Sequence, residues 1–162
     1  MKVIDNFLPD YYFRSLSDII LGDDFWWFYN EDTAIEGDGI PHFINIFYKT
    51  KGLATIGPTS SFSLIEPYLS FFKMKELCRI KANLAPRTIF HRKTGWHVDN
   101  VPCSTTAILY MNTNNGWTEF KKGSRVKSVA NRVVIFDSNL EHQGVTCTDK
   151  KRRVLINFNY GV

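Results

Sequence analysis

The chain has 162 residues, of which 44% are hydrophobic and 15% aromatic, and these values predict one folded domain spanning residues 1–162 and exclude an intrinsically disordered chain. Its formal net charge of +4 is typical of a solvated basic surface or of a protein that attracts an acidic partner. No apolar run approaches the length of a transmembrane helix, so no membrane partner is expected.

The first third of the chain carries the helical signals. Pro9-Asp10 can open a helix whose apolar residues recur at helical spacing until Gly22 ends it. A second helix is predicted to begin near Pro58 and to run to Phe72, with Pro67 either beginning it or kinking it.

From about residue 40 the hydrophobic period changes to two, which favours short strands separated by turns. Helical support over residues 1–75 followed by a strand-rich core over about 76–162 predicts a mainly β barrel or sandwich with helices packed outside. The predicted strands are 42–49, 78–84, 104–111, 117–120, 125–129, 132–136 and 153–160.

The last predicted strand has two different faces, because side chains alternate along a strand. One face is apolar and predicts a core, whereas the other carries polar groups that the interior of a barrel would have to satisfy. The apolar face carries Val154, Ile156, Phe158 and Tyr160, and the polar face carries Arg153, Leu155, Asn157 and Asn159.

The three cysteines, Cys78, Cys103 and Cys147, are odd in number and lack a zinc-type spacing, and the N-terminus does not resemble a signal peptide. We therefore expect free thiols and a soluble protein in the reducing cytoplasm.

Two histidines and one aspartate have the spacing of a metal site. His97 and Asp99 stand at i and i+2, so both side chains emerge on one side of an extended segment. His142, further along the chain, can complete a set of two histidines and one carboxylate. Such a set leaves adjacent coordination positions open, which Fe(II) uses for a bidentate co-substrate and O₂, whereas structural zinc sites fill all four positions.

Arg153 begins the last predicted strand and requires an anion if it points into a barrel. Its guanidinium group matches a carboxylate bidentately. A dicarboxylic keto acid that chelates the metal at one end would therefore be anchored by Arg153 at the other, whereas Arg152 points to the opposite face.

Over roughly residues 75–160 the sequence resembles the prolyl 4-hydroxylase-like branch of the Fe(II)/2-oxoglutarate-dependent oxygenases. Two features depart from that pattern: a single Gly116 where the family usually has two glycines, and a very short loop after Asp99. The resemblance therefore does not assign the family's substrate to this chain. The resemblance rests on the order and spacing of segments 97–100, 105–112, 116–120, 131–138, 141–145 and 153–158.

The resemblance implies a double-stranded β-helix, or cupin-like jelly roll, with N-terminal helices packed on its major sheet. It also implies Fe(II) held by His97, Asp99 and His142. The residues expected at 2-oxoglutarate are Arg153, Tyr110 and Asn157, together with Asn83 if the strand face that Asn83 shares with Arg79 and Lys81 lines the cavity and is not solvated.

The implied activity is a dioxygenase reaction that couples decarboxylation of 2-oxoglutarate to succinate and CO₂ with hydroxylation of a prolyl residue in a peptide or protein, with ascorbate as reductant. A free amino acid, a nucleobase or nucleic acid, or another small molecule stays open as the substrate. A non-redox cupin-like protein that binds a metal and an anion, and a non-catalytic jelly-roll interaction module, are the alternatives of other classes.

Three further residues lie close to His97 in the sequence, and two of them are predicted near the cavity mouth. His91 and Arg92 are candidates for substrate contacts, with a plain surface position as the alternative. Trp96 either flanks the substrate or packs under the metal, and the sequence does not choose between these.

Overall fold

The computed structural model describes residues 1–32, 39–50 and 57–162. Over these residues the chain forms the α-helix α1 (Asp10–Leu21) and two short 3₁₀ helices, Phe62–Leu64 and Glu66–Phe71. The strands are β1 (Lys2–Ile4), β2 (Phe28–Asn30), β3 (His42–Lys49), β4 (Gly57–Pro58), β5 (Glu76–Pro86), β6 (Thr105–Tyr110), β7 (Trp117–Phe120), β8 (Arg125–Lys127), β9 (Val133–Asp137), β10 (His142–Val145) and β11 (Arg152–Gly161).

The strands form two antiparallel sheets, which confirms the predicted mainly β architecture. The major sheet has the order β1-β9-β6-β11-β5-β3-β2, with β4 paired to β3, and the minor sheet has the order β10-β7-β8. At the centre of the major sheet β11 pairs with β5 on one side and with β6 on the other. The described part of the chain contains no helix with the length and apolarity that a membrane crossing needs.

The major sheet is covered on both faces, as the alternation in the last strand predicts. On the outer face, Val154, Ile156 and Phe158 belong to the same buried cluster as Leu16 and Ile20 of α1. On the inner face a smaller cluster joins the two sheets, and it contains Ile108, Tyr110, Phe120, Val126, Val134, Phe136 and Leu155. Side-chain alternation therefore places apolar groups under the helix and leaves the inner face to both apolar and polar groups.

The first helix is confirmed, and the second helical prediction is wrong. Helix α1 begins at Asp10 and Gly22 is its C-cap. The segment predicted to be one helix up to Phe72 instead forms the two 3₁₀ helices, and Pro67 lies in the first turn of the second. Proline lacks the N–H of an α-helical hydrogen bond and its ring clashes with the preceding turn, so one continuous helix through Pro67 is disfavoured.

Strand β10 was not predicted, although it carries His142. It has only four residues, including Gly144 and two polar residues at its start, so its hydrophobic pattern is too weak to indicate a strand. Pairing with β7 provides the stabilisation that the local sequence lacks. The short strands β1, β2 and β4 were also missed.

The prediction of free thiols is wrong for two of the three cysteines. Cys78 at the start of β5 and Cys103 before β6 form a disulfide, with their Cα atoms 6.1 Å apart. Cys147 is a buried free thiol. Sequence spacing contains no information on which distant thiols meet in space, and a disulfide is typical of oxidising compartments. The cysteines therefore give no support to a cytoplasmic location.

Asn131 joins the N-terminal segment to the loop before β9. Its side chain accepts a hydrogen bond from the Leu8 N–H (2.9 Å) and donates one to the Leu8 carbonyl (2.8 Å), both buried. The Asn131 backbone has φ +60°, a left-handed conformation that asparagine tolerates better than most residues.

Replacing Asn131 with Ala should lower the free energy of unfolding by about 2–4 kcal/mol, because two buried backbone groups of Leu8 lose their partners. Asn131→Gly, which relieves the backbone conformation but also lacks the amide, should remain clearly destabilised. Urea unfolding of both variants measures this, and values within about 0.5 kcal/mol of the wild type would contradict it.

Candidate metal centre and adjoining cavity

The structure brings His97, Asp99 and His142 together, with one potential ligand atom from each lying within 4.8 Å of the others. His97 and His142 face each other across a β-bridge, in which each backbone N–H donates to the other's carbonyl at 3.0 and 2.9 Å. Their ring centroids lie 4.4 Å apart. This bridge therefore fixes the spacing of the two imidazoles.

Each histidine ring is oriented by a backbone carbonyl. Nδ1 of His97 lies 3.2 Å from the Gly95 oxygen, and Nδ1 of His142 lies 2.9 Å from the Leu140 oxygen. A carbonyl oxygen only accepts, so Nδ1 donates in both cases and Nε2 keeps its lone pair. Burial and the neighbouring His142 lower the pKa of His97, which favours the neutral form that binds metals.

The Asp99 carboxylate is buried, and both of its oxygens accept hydrogen bonds. Oδ1 accepts from Arg79 at 2.8 Å, and Oδ2 accepts from the Thr106 hydroxyl at 2.7 Å and from the Asn159 amide at 3.0 Å. Burial alone would raise the pKa of Asp99, but Arg79, His142 and the two hydrogen bonds to Oδ2 outweigh it and hold the pKa below its usual value. Asp99 is therefore an anionic ligand at neutral pH.

These residues fit a divalent transition metal. Two imidazole nitrogens with free lone pairs and one ionised carboxylate are the donor set of the 2-His-1-carboxylate sites that bind Fe(II). The hydrogen bonds that Nδ1 of each histidine donates, and those that Asp99 accepts, supply the outer shell that such ligands require.

A cavity of about 260 Å³ adjoins the three residues and is lined from both sheets. The inner face of β5 contributes Arg79, Lys81 and Asn83. Of the two alternatives for this polar face, a cavity lining and a solvated surface, the structure has the cavity lining. Burial lowers the pKa of Lys81 to about 8, and repulsion from Arg79 adds to the effect. The minor sheet and the segments beside it contribute Thr94, Thr118, His142, Gly144, Val145 and Thr146.

Arg153 lies in this cavity and is only 5% exposed. Its Nε donates to Ser128 at 2.8 Å, and one terminal nitrogen donates to Thr118 at 3.1 Å. No carboxylate of the described residues forms an ion pair with it. Burial lowers the pKa of Arg153, yet it remains far above neutrality for a guanidinium. The cavity therefore contains a positioned cation that lacks an anion.

Tyr110 lies behind Arg153 and does not line the cavity. Its hydroxyl donates to Thr118 at 2.7 Å, and the Arg153 guanidinium carbon lies 5.6 Å from the centre of its ring. Burial raises the pKa of Tyr110, although Arg153 opposes this, so the hydroxyl stays protonated. Thr118, which the sequence did not single out, thus accepts from both Tyr110 and Arg153.

Gly116 provides the space that Arg153 occupies. A Cβ at this position would lie 2.7 Å from the Val145 carbonyl and 2.8 Å from Arg153 Cδ. At Gly144 the nearest Arg153 nitrogen would lie 3.6 Å away, an ordinary contact distance. Of the two positions, only Gly116 requires glycine for the arginine to fit.

The remaining predicted site residues separate into two groups. Asn83 and Asn157 line the cavity, and Asn83 donates to the Lys81 carbonyl at 3.1 Å. His91, Arg92 and Trp96 are not part of its lining. His91 is exposed, contacts Trp117 in a tilted arrangement with ring centroids 4.8 Å apart and is hydrogen bonded to the Thr146 carbonyl.

The residues that orient Asp99 were missed by sequence reasoning. Arg79 and Asn159 stand opposite each other on β5 and β11, and Thr106 lies on β6. The sequence signal was the polar alternation on β5 and on the last strand. Alternation cannot show that Arg79 pairs with an aspartate 20 residues away.

No protein-family model matches the chain, and no curated protein matches it by sequence. Solved structures do match. A prolyl-4-hydroxylase from Pseudomonas putida is 16% identical, with 99% of this chain and 92% of that chain covered at a TM-score of 0.59. An oxidoreductase of the 2OG-Fe(II) oxygenase family from Burkholderia pseudomallei is 7% identical, with 98% and 84% covered at a TM-score of 0.66.

A third similar structure is the prolyl hydroxylase of Trichoplax adhaerens in complex with a peptide fragment of the hypoxia inducible factor oxygen degradation domain. It is 14% identical, with 98% of this chain and 82% of that chain covered at a TM-score of 0.58. At these identities the similarity shows the fold. The predicted jelly roll with helices on the major sheet is thereby confirmed.

Replacing Arg79 with Met should weaken Mn(II) binding by about 10- to 100-fold, the usual effect of losing a group that orients a metal ligand. Isothermal titration measures this. Arg14→Met, which removes an exposed ion pair with Asp10 on α1, is the matched control and should bind Mn(II) like the wild type. Equal affinity of the two variants would show that Arg79 does not support Asp99.

Proposed function

We propose that the protein is an Fe(II)- and 2-oxoglutarate-dependent oxygenase that hydroxylates its substrate. One observation supports this above all others: His142 and Asp99, which are buried, and the half-buried His97 open into the cavity that also contains Arg153, a buried cation without a carboxylate partner among the described residues. A metal-chelating dicarboxylate satisfies both requirements at once. The fold shared with oxygenases is consistent with this reading.

In this proposal His97, Asp99 and His142 hold the metal, and Arg153 holds the distal carboxylate of 2-oxoglutarate. When bound, Fe(II) with 2-oxoglutarate and O₂ supplies the oxidative decarboxylation that yields succinate, CO₂ and a hydroxylated product. Ser128 and Thr118 orient the Arg153 guanidinium. Tyr110 fixes Thr118 and stacks against Arg153, which makes it a positioning residue.

The other role of the chain is to keep water away from the reacting atoms. Ile108 and Leu155 line the cavity and belong to the apolar cluster between the sheets, and Val145 lines it from the minor sheet. This low-polarity wall strengthens the electrostatic contacts of Arg153, because charges interact more strongly away from water.

For the substrate we propose a prolyl residue in a peptide or protein. The support is the similarity of fold to prolyl hydroxylases, one of them in complex with a peptide. The exposed Trp96 and Val98 flank the first histidine and are available to contact a bound chain.

Purified protein supplied with Fe(II), ascorbate, 2-oxoglutarate and O₂ should form succinate, and a proline-containing peptide that is a substrate should stimulate it. Asp99→Ala should abolish this activity because the carboxylate ligand is lost. Asp18→Ala, which changes an exposed aspartate of α1, is the control. Undiminished turnover by Asp99→Ala would refute the metal site, and stimulation by an amino acid or nucleotide in place of the peptides would refute the prolyl substrate.

Replacing Arg153 with Met should weaken 2-oxoglutarate binding to the Mn(II)-loaded protein by about 10- to 100-fold, since charge-assisted hydrogen bonds are lost. The neighbouring Arg152→Met is the matched control, because Arg152 bonds to the Leu21 carbonyl on the other face of the sheet. Titration followed by tryptophan fluorescence measures both. An equal effect of the two substitutions would argue against a specific role of Arg153.

A further inference from the structure

Strands β5 and β11 present a ladder of paired side chains to the cavity. Residues opposite each other on antiparallel strands have their side chains on the same face, and successive pairs on one face lie about 7 Å apart along the strands. Starting at the end that lies beside Asp99, the pairs are Arg79 with Asn159, Lys81 with Asn157, Asn83 with Leu155, and Ala85 with Arg153.

The pairs at the two ends of the ladder already form side-chain hydrogen bonds within the protein. Arg79 and Asn159 donate to the Asp99 carboxylate, and Arg79 also donates to Asn159. Arg153, at the far end of the ladder, is held by Ser128 and Thr118. The pair next to Arg79 and Asn159, formed by Lys81 and Asn157, makes no such contacts within the described part of the chain.

Lys81 and Asn157 both line the cavity and have unused hydrogen-bonding groups. The Lys81 ammonium forms no hydrogen bond or ion pair with the described residues. The Oδ1 atom of Asn157 is buried and has no hydrogen-bond partner, and Asn157 itself is only 9% exposed. Unsatisfied buried polar groups are unfavourable, so a ligand that satisfies them gains binding energy.

The chemistry of the pair defines the ligand. A lysine ammonium has three donors and no acceptor, so one donor can serve Asn157 Oδ1 and the others can serve an anion. Among the described residues that line the cavity, Asp99 is the only carboxylate, and Arg79 already pairs with it. Lys81 is therefore available to an external carboxylate.

We propose that Lys81 and Asn157 form a second carboxylate-binding point, which takes the 2-oxo acid end of the co-substrate while Arg153 takes the other carboxylate. This inference rests on the proposed function. The order of the ladder supports it, because the Lys81 pair is one step from the pair that holds the metal ligand Asp99, and Arg153 lies two steps beyond Lys81. A dicarboxylate bound between the two cations has its keto end directed to the metal ligands.

The test compares two ligands that share the 2-oxo acid end. 2-Oxoglutarate and pyruvate are titrated into the Mn(II)-loaded full chain, and binding is followed by tryptophan fluorescence. Lys81→Met, which keeps the length of the side chain but not its charge, should weaken binding of both ligands by about 10-fold or more, and Lys81→Arg should restore most of it. Arg153→Met should weaken binding of 2-oxoglutarate but not of pyruvate. Lys127→Met, on the exposed face of β8, is the control.

The results separate the role of Lys81 from the proposed function. Mn(II) affinity and the urea midpoint of Lys81→Met should be no lower than those of the wild type, because an unpaired charge is removed. This result separates a ligand contact from a structural effect. If Lys81→Met binds 2-oxoglutarate and pyruvate like the wild type while Arg153→Met loses 2-oxoglutarate, the inference is overturned and the proposed function stands. A raised KM for the hydroxylated substrate in that variant would then assign Lys81 to the substrate. A wild type that binds neither ligand overturns the proposed function as well.

Discussion

The structure depends on keeping one charge, the Asp99 carboxylate, ionised inside the protein. A buried carboxylate is strongly unfavourable unless it is paired and hydrogen bonded. Three strands of the major sheet supply its partners: Arg79 from β5, Thr106 from β6 and Asn159 from β11. The same bonds fix the direction of the carboxylate, so the network that makes the buried charge tolerable also orients the carboxylate of the candidate metal centre. The central strands of the sheet are thus tied to the geometry of the site.

The polar interior is possible because the other face of the same sheet is apolar. Val154, Ile156 and Phe158 of β11 pack under α1 and the 3₁₀ helices, and this burial is the main stabilising contribution. The alternate residues are then free to serve the cavity. Arg153 is the clearest example, because it is buried and held by hydroxyl groups but by no carboxylate of the described residues. A stable outer core thereby supports an inner face that carries buried polar and charged groups.

The sequence predicted most of the strands, since period-two alternation is a local property. It also predicted the three residues that meet at the candidate metal centre. It failed where local signals were weak or absent. The helix through Pro67 depended on apolar spacing that proline interrupts, and the disulfide between Cys78 and Cys103 depends on contacts between distant segments. The positions of Arg79 opposite Asn159 and of Lys81 opposite Asn157 follow from strand register, which alternation indicates only as a shared polar face.

The most direct test of the account is a crystal structure of the protein with Mn(II) and 2-oxoglutarate, with the metal located by its anomalous scattering. The account predicts one metal ion bound by Nε2 of His97, Nε2 of His142 and an oxygen of Asp99, with the distal carboxylate of 2-oxoglutarate on Arg153. A metal bound at other residues, or 2-oxoglutarate bound away from Arg153, would contradict it.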